Sequence, residues 1–208
     1  MGFISRVVTT GLVVLAAGGS YHLFTERHFG PSSTSAGVNP GYSPIESEHF
    51  APAENLERVE IGELRAAAQR LHGSRTPLNI AMYAFTDRAI AQLLIEESDA
   101  GTVIRIYRDG EQYEEEERQR YGIGSVTSMF RGHTNIHVRV KPASRSELMH
   151  LKCWSDGRVL RDGSTNWSPA GLKRQDNEIR YTTDGYGVQE FNQNFEQLWN
   201  RPTNTRVQ

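Results

Sequence analysis

The chain has a single cysteine, Cys153, among 208 residues. That excludes an intramolecular disulfide and the usual multi-cysteine zinc sites. It also lacks a strong charge of either sign: 23 Lys and Arg stand against 25 Asp and Glu, for a formal net charge of −2 and a pI near 6.4. A protein that coats nucleic acid by bulk charge is thereby excluded, because such domains are strongly basic. There is no internal repeat, and its one His-x-Lys has no second copy. A chain of this length holds one domain with a sizeable core plus an appendage, and is too short for two full domains.

The appendage comes first. One basic residue, Arg6, precedes an apolar run that begins at Val7 and ends in the small residues Gly18-Gly19-Ser20, the pattern of a secretory signal. Extended through Phe24, the same run reaches the length of a membrane-spanning helix. A cleaved signal and a retained anchor over residues 7–24 both fit, and Arg6 keeps the extreme N-terminus cytoplasmic in either case. The rest of the chain is then exported, to a periplasmic or extracellular face. Residues 1–29 form this segment. Residues 30–49 follow as a flexible linker, rich in Gly, Ser and Pro from Gly30 to Ser43. The folded domain takes residues 50–208.

Within that domain the hydrophobic periodicity changes from element to element. Leu56, Val59, Leu64, Ala67, Ala68 and Leu71 fall at helical spacing, and His72-Gly73 supplies a stop. Leu78 to Phe85 is a buried strand, Thr86-Asp87 caps a helix that ends at Asp99-Ala100-Gly101, and Val103–Tyr107 is a second strand. This order is a βαβ unit, with parallel pairing through a right-handed crossover. Strands follow at Ile136–Val140, Leu148–Trp154, Val159-Leu160 and Asn177–Tyr181, and a last helix aligns Val188, Phe191, Phe195, Leu198 and Trp199 as a core-facing stripe. Glu114 to Glu117 point around a whole helical turn, so they read as a solvated face and not as a metal site. His133 and His137 have no Cys or carboxylate at ligand spacing and are assigned no metal.

The chemistry concentrates in one stretch, His150-Leu151-Lys152-Cys153-Trp154-Ser155-Asp156, followed after a turn by Gly163-Ser164-Thr165-Asn166-Trp167-Ser168. Residues two apart on a strand share a face, so His150 and Lys152 can hold a phosphate between them. The glycine permits close backbone approach, and Ser164 and Asn166 add hydroxyl and amide hydrogen-bonding groups for an oxyanion. Alternation turns Cys153 away from that face, as a buried and inert thiol. Basic residues dominate the surroundings: Arg139, Lys141, Arg145, Lys152, Arg158 and Arg161 outnumber Glu147, Asp156 and Asp162, which favours anionic substrates.

His-x-Lys, a nearby Asp and then Gly-Ser-x-Asn-Trp-Ser resembles the signature of the phospholipase D superfamily. Ile80–Asp87, Gly101–Arg105 and Gln175–Glu178 are similar to further segments of its small single-motif members, so the likeness runs from about Phe50 to Trp199. One departure is plain: three residues separate Lys152 from Asp156 where the family usually has four. The resemblance implies an α/β fold with a mixed central β-sheet and helices on both faces. It implies phosphodiester hydrolysis without a metal or cofactor, through a phosphohistidine on His150. Lys152, Ser164 and Asn166 would stabilise the non-bridging oxygens, Glu178 would hold the histidine tautomer, and Asp156 would support the site. With one motif per chain, the family logic implies a twofold homodimer in which a second His150 protonates the leaving group. An endonuclease on nucleic acid is the first expectation. A phospholipase D acting on membrane phospholipid is the alternative, and a noncatalytic phosphate-binding protein is the third.

Overall fold

The computed structural model describes residues 46–118 and 124–208. The apolar segment 7–24 and the linker up to residue 45 lie outside the described residues. No helix among the described residues is long and apolar enough to cross a membrane.

The chain order is β1 (Glu46–Ala51), α1 (Leu56–Leu71), β2 (Leu78–Met82), α2 (Arg88–Asp99), β3 (Ile104–Arg108), α3 (Gly110–Arg118), α4 (Val126–Met129) and β4 (Ile136–Val140). It continues through β5 (Lys152–Ser155), β6 (Leu160–Gly163), α5 (Pro169–Lys173), β7 (Asn177–Thr182), α6 (Gly185–Trp199) and β8 (Thr205–Arg206). All strands join one sheet in the order β1-β7-β6-β5-β2-β3-β4-β8. β2, β3 and β4 run parallel, and the remaining pairs are antiparallel. This is the mixed α/β sheet that the resemblance implied.

Local chemistry accounts for the elements. Asn55 caps α1 by accepting from the Arg58 amide, and Asp87 caps α2 by accepting from the Ile90 amide at 3.0 Å, each satisfying a helix-end donor. β2 is buried along its whole length, as a central strand covered on both faces must be. One core layer packs Leu64, Ile80, Leu94, Ile106, Val138 and Trp154 between the sheet and α1 and α2. The other packs Ala81, Tyr107 and Leu160 against Val188, Phe191 and Phe195 of α6. Helices thus cover both faces.

Three expectations are revised. The sheet begins at Glu46, inside the expected linker, because β1 pairs with β7 from Glu46↔Thr182 to Ala51↔Asn177; a short edge strand of sequence Glu-Ser-Glu-His-Phe-Ala carries no apolar run to announce it. β5 starts at Lys152 and not at Leu148, since the Met149 amide donates to Asp109 Oδ2 at 2.8 Å instead of to a neighbouring strand. The glutamate-rich helix is not solvated all round: Glu116 turns inward to fully buried Arg108, 2.7 Å away, and accepts from the Phe85 amide. Cys153 is half-buried beside the α6 layer, and burial pushes its thiol pKa up, which suits an inert thiol.

Candidate active site

The C-terminal end of β2 organises the site. Parallel strands place ligands at their carboxyl ends, where neighbouring connections leave in opposite directions. Here β2 has β3 on one side and β5 on the other. Past Met82 the backbone continues as Tyr83-Ala84-Phe85, and each of these residues holds part of the motif.

Tyr83 meets both halves of His-x-Lys. Its ring packs edge-on against His150, with centroids 4.6 Å apart, and lies 4.9 Å from Lys152 Nζ in a cation–π contact. The Tyr83 amide donates to the Leu151 carbonyl at 2.9 Å, tying the intervening residue to the same point. Ala84 reaches the other half of the motif. Its amide donates to Asn166 Oδ1 at 3.3 Å, and its carbonyl accepts from the Trp167 amide at 3.1 Å. The Asn166 amide group is thereby oriented with its oxygen engaged and its NH2 left to donate. Phe85 bridges to Trp167 and packs edge-on against its ring at 4.8 Å.

His150 is exposed. Partial desolvation of its ring and the adjacent Lys152 ammonium lower its pKa below the ordinary histidine value, while Asp109 opposes this. A lowered pKa keeps the imidazole neutral near pH 7, as a nucleophile requires. Lys152 is only 6% exposed, and burial lowers its pKa too. Its ammonium donates to the His150 carbonyl at 2.9 Å, leaving further N–H donors for a ligand.

The Gly163-Ser164-x-Asn166 turn is shaped by β7. Gly163 has φ +135°, and a Cβ there would stand 2.5 Å from the Glu178 carbonyl oxygen, so only glycine fits. Ser164 Oγ accepts from the Glu178 amide at 3.0 Å, and Thr165 Oγ1 donates to the Glu178 carbonyl at 2.7 Å. Glu178 therefore lies beside the turn, but among the described residues no hydrogen bond joins its carboxylate to His150. The carboxylate whose charge reaches His150 is Asp109, at the end of β3, which also anchors Met149.

Asp156 is placed elsewhere. It sits at the far end of β5 from His150, accepting from the Arg158 and Val159 amides at 2.9 and 2.7 Å and pairing with Arg70 of α1 at 2.7 Å. These contacts shape a turn and clamp a helix; they do not face the motif. The structure thus gathers His150, Lys152, Ser164, Asn166 and Glu178 at one end of the sheet and leaves Asp156 at the other.

Three supporting residues escaped the sequence reading, Tyr83, Asp109 and Glu60, and a fourth, Arg161, figured there only as one of the cations around the motif. Arg161 is fully buried. Its guanidinium donates to the carbonyls of Lys152 and of Thr165, the latter at 3.1 Å, and to Glu60 Oε2 at 3.0 Å. Glu60 offered a signal, a carboxylate midway between Leu56 and Leu64 on the apolar stripe of α1. Beside His150 opens a cavity of about 500 Å³, with Lys141 and Arg201 as its cations and Leu148, Leu151 and Leu198 as apolar lining.

A family model described as "Cardiolipin synthase, PLD-like domain" matches residues 68–199. The chain belongs to the phospholipase D-like domain family. Two relatives carry the name mitochondrial cardiolipin hydrolase. The protein of Chlamydomonas reinhardtii is 27% identical over 61% of this chain and 53% of its own length. That of Danio rerio is 25% identical over 67% of this chain and 59% of its own. The chain thus spans little more than half the length of these relatives. Among solved structures, NucT from Helicobacter pylori superposes with a TM-score of 0.60 at 19% identity, over 76% of this chain and 96% of that one. Nuc from Salmonella typhimurium, a phospholipase D family member, gives 0.60 at 18%, over 80% and 99%. These two likenesses concern the fold.

Proposed function

We propose that this protein hydrolyses phosphodiester bonds through a covalent phosphohistidine on His150, with nucleic acid as its substrate. The observation that carries this reading is the convergence at Tyr83 and Ala84, which holds a histidine, a lysine and an oriented asparagine around one point.

A ring nitrogen of His150 attacks phosphorus, forming a P–N bond as the bond to the leaving oxygen breaks. A general acid delivers a proton to that oxygen. Water then attacks phosphorus, the P–N bond breaks, the imidazole is regenerated and a phosphomonoester departs. Lys152 and the Asn166 amide stabilise the equatorial oxygens, whose charge grows toward each transition state. Ser164 supports the same oxygens, and Glu178 backs the turn that presents them. The general acid is His150 of a second copy in a twofold homodimer, since this chain carries one motif. That copy is held as the imidazolium while the attacking copy is neutral, and it is reprotonated by the water that attacks in the second step. The residue pattern at Arg6 and the apolar run supports an exported or membrane-tethered domain.

A second reading has its own support. The relatives' name, cardiolipin hydrolase, and the leucines beside His150 favour a phospholipid diester. The deciding experiment offers a fluorescent single-stranded oligonucleotide and cardiolipin-containing vesicles to the purified protein and to His150→Ala. Oligonucleotide cleavage lost in the variant supports the nuclease reading. Conversion of cardiolipin to phosphatidic acid and phosphatidylglycerol with an intact oligonucleotide replaces it by the phospholipase reading. Binding without turnover of either leaves the third, noncatalytic role.

A further inference from the structure

A second cluster of cations lies away from the nucleophile, on the α6 face of the sheet. Alternation along β4 buries Ile136, Val138 and Val140 in the opposite layer and turns His137 and Arg139 toward α6, with Lys141 next in the same phase. Register adds their neighbours. Arg105 of β3 stands opposite His137, and Arg206 of β8 stands opposite Arg139. Four basic side chains therefore occupy adjacent cross-strand positions, with about 5 Å between opposed Cβ atoms and about 6.6 Å between successive same-face residues. They line one cleft of about 190 Å³ with Trp199 and Gln208.

We infer that this cleft holds the phosphodiester backbone of a nucleic acid strand at a distance from the scissile bond. The inference rests on the nuclease reading above and extends it to a separate anchoring site.

Like charges directly opposed across strands destabilise a sheet, and little here compensates them. Arg105 is neutralised by Glu196 and donates to Asn79 Oδ1. Arg139 donates to the Trp199 carbonyl at 2.6 Å and lies over the Trp199 ring, 4.7 Å from its centroid; it shares the field of Glu196 with Arg105 but makes no salt bridge among the described residues. Arg206, exposed on the two-residue β8, has neither ion pair nor hydrogen-bond partner from its side chain among the described residues. One carboxylate thus faces three guanidinium groups. Burial and these three arginines lower the His137 pKa and keep it neutral, a donor and acceptor at the cleft floor. The surplus is positive, so an anion is the fitting ligand.

An extended polyanion fits better than an isolated phosphate. The stripe continues along β4 from Arg139 to Lys141, and Lys141 lines the His150 cavity with Arg201. From His137 to Lys141 is about 13 Å of strand. A chain whose scissile phosphate sits at His150 therefore passes its flanking phosphates over Lys141 into the cleft, as backbone-tracking grooves do. A membrane surface fits less well, since interfacial binding pairs cations with exposed apolar side chains. Among the described residues, the exposed large hydrophobics Phe50, Leu148 and Tyr186 do not line the cleft, and Leu148 lies instead in the His150 cavity.

The test uses the full chain with His150→Ala, which separates binding from catalysis. Affinity for a fluorescein-labelled single-stranded oligonucleotide of about 20 nucleotides is measured by anisotropy across a salt series, with and without Arg206→Glu. Arg206→Gln serves as a milder second variant. The cleft predicts at least about tenfold weaker binding for Arg206→Glu and a log–log salt slope shallower by about one for either variant. It also predicts, in the active background, a similar fall in kcat/KM on the oligonucleotide with unchanged turnover of bis(p-nitrophenyl) phosphate. Binding unchanged within twofold overturns the inference and leaves the phosphodiesterase reading standing. Weakened binding to cardiolipin vesicles with unchanged oligonucleotide affinity also overturns it, in favour of a membrane contact. Arg206-dependent oligonucleotide binding by a wild type that hydrolyses nothing upholds the anchoring site while removing the catalytic reading.

Discussion

Arg161 and Glu60 form an ion pair with both side chains fully buried, Nε to Oε2 at 3.0 Å, beneath the strand that carries Lys152. Trp154 Nε1 and the Tyr181 hydroxyl donate to the same glutamate at 2.7 and 3.3 Å. The remaining guanidinium donors reach the Lys152 and Thr165 carbonyls. One buried side chain therefore sets the distance between the two halves of the motif.

Removing either partner leaves an uncompensated charge in the core, which costs about 3–5 kcal/mol. Arg161→Met is expected to lose about that much stability in urea denaturation. Glu60→Gln keeps an acceptor and should lose less. A loss below about 1 kcal/mol in Arg161→Met would show that the pair does not bind strand to turn as described.

The nucleophile must be neutral, and partial desolvation with the Lys152 charge lowers the His150 pKa. The acidic limb of kcat/KM, which reports the free enzyme, should therefore fall below the ordinary histidine value of about 6.5. Asp109 acts in the opposite sense, so Asp109→Asn is expected to move the limb to still lower pH. An NMR titration of His150 in both proteins checks the same order. A limb above 6.5, or one moved upward by Asp109→Asn, contradicts the assignment.

Tyr83 contacts His150 and Lys152 through its ring. Tyr83→Phe keeps that ring and should retain kcat within about threefold. Tyr83→Ala removes an aromatic and a cation–π contact worth about 1–2 kcal/mol together, so kcat should fall about 5- to 30-fold. Equal effects from the two substitutions would assign the role to the hydroxyl.

Asp156 caps the turn after β5 and pairs with Arg70. Asp156→Asn is expected to destabilise the fold by about 1–3 kcal/mol, the range for a compromised buried, charged acceptor, while kcat stays within about threefold in folded protein. A thousandfold loss of kcat in stable Asp156→Asn would return this residue to the site.

The sequence disclosed whatever rests on local pattern. The βαβ unit was legible because Leu78–Met82 and Ile104–Arg108 are apolar runs flanking a helix that Asp87 caps. His150, Lys152, Ser164 and Asn166 were legible because their chemistry lies within 17 residues of chain. What escaped depends on residues far apart in sequence. Glu60 and Arg161 meet across 101 positions, and Asp109 reaches Met149 across 40. Neither pairing leaves a periodic trace. Asp156 misled because proximity in sequence hid the length of β5, whose residues Lys152–Ser155 carry the aspartate to the other end of the sheet.

The most direct test of the phosphohistidine claim follows hydrolysis of bis(p-nitrophenyl) phosphate by the purified wild type and His150→Ala in EDTA, with alkaline quench and mass spectrometry of the peptide containing His150. Turnover is expected to fall at least about a thousandfold in the variant, and the wild type to carry a phosphoryl adduct on His150 that is stable in base and lost in acid. Turnover by His150→Ala within tenfold of the wild type would contradict the phosphohistidine claim.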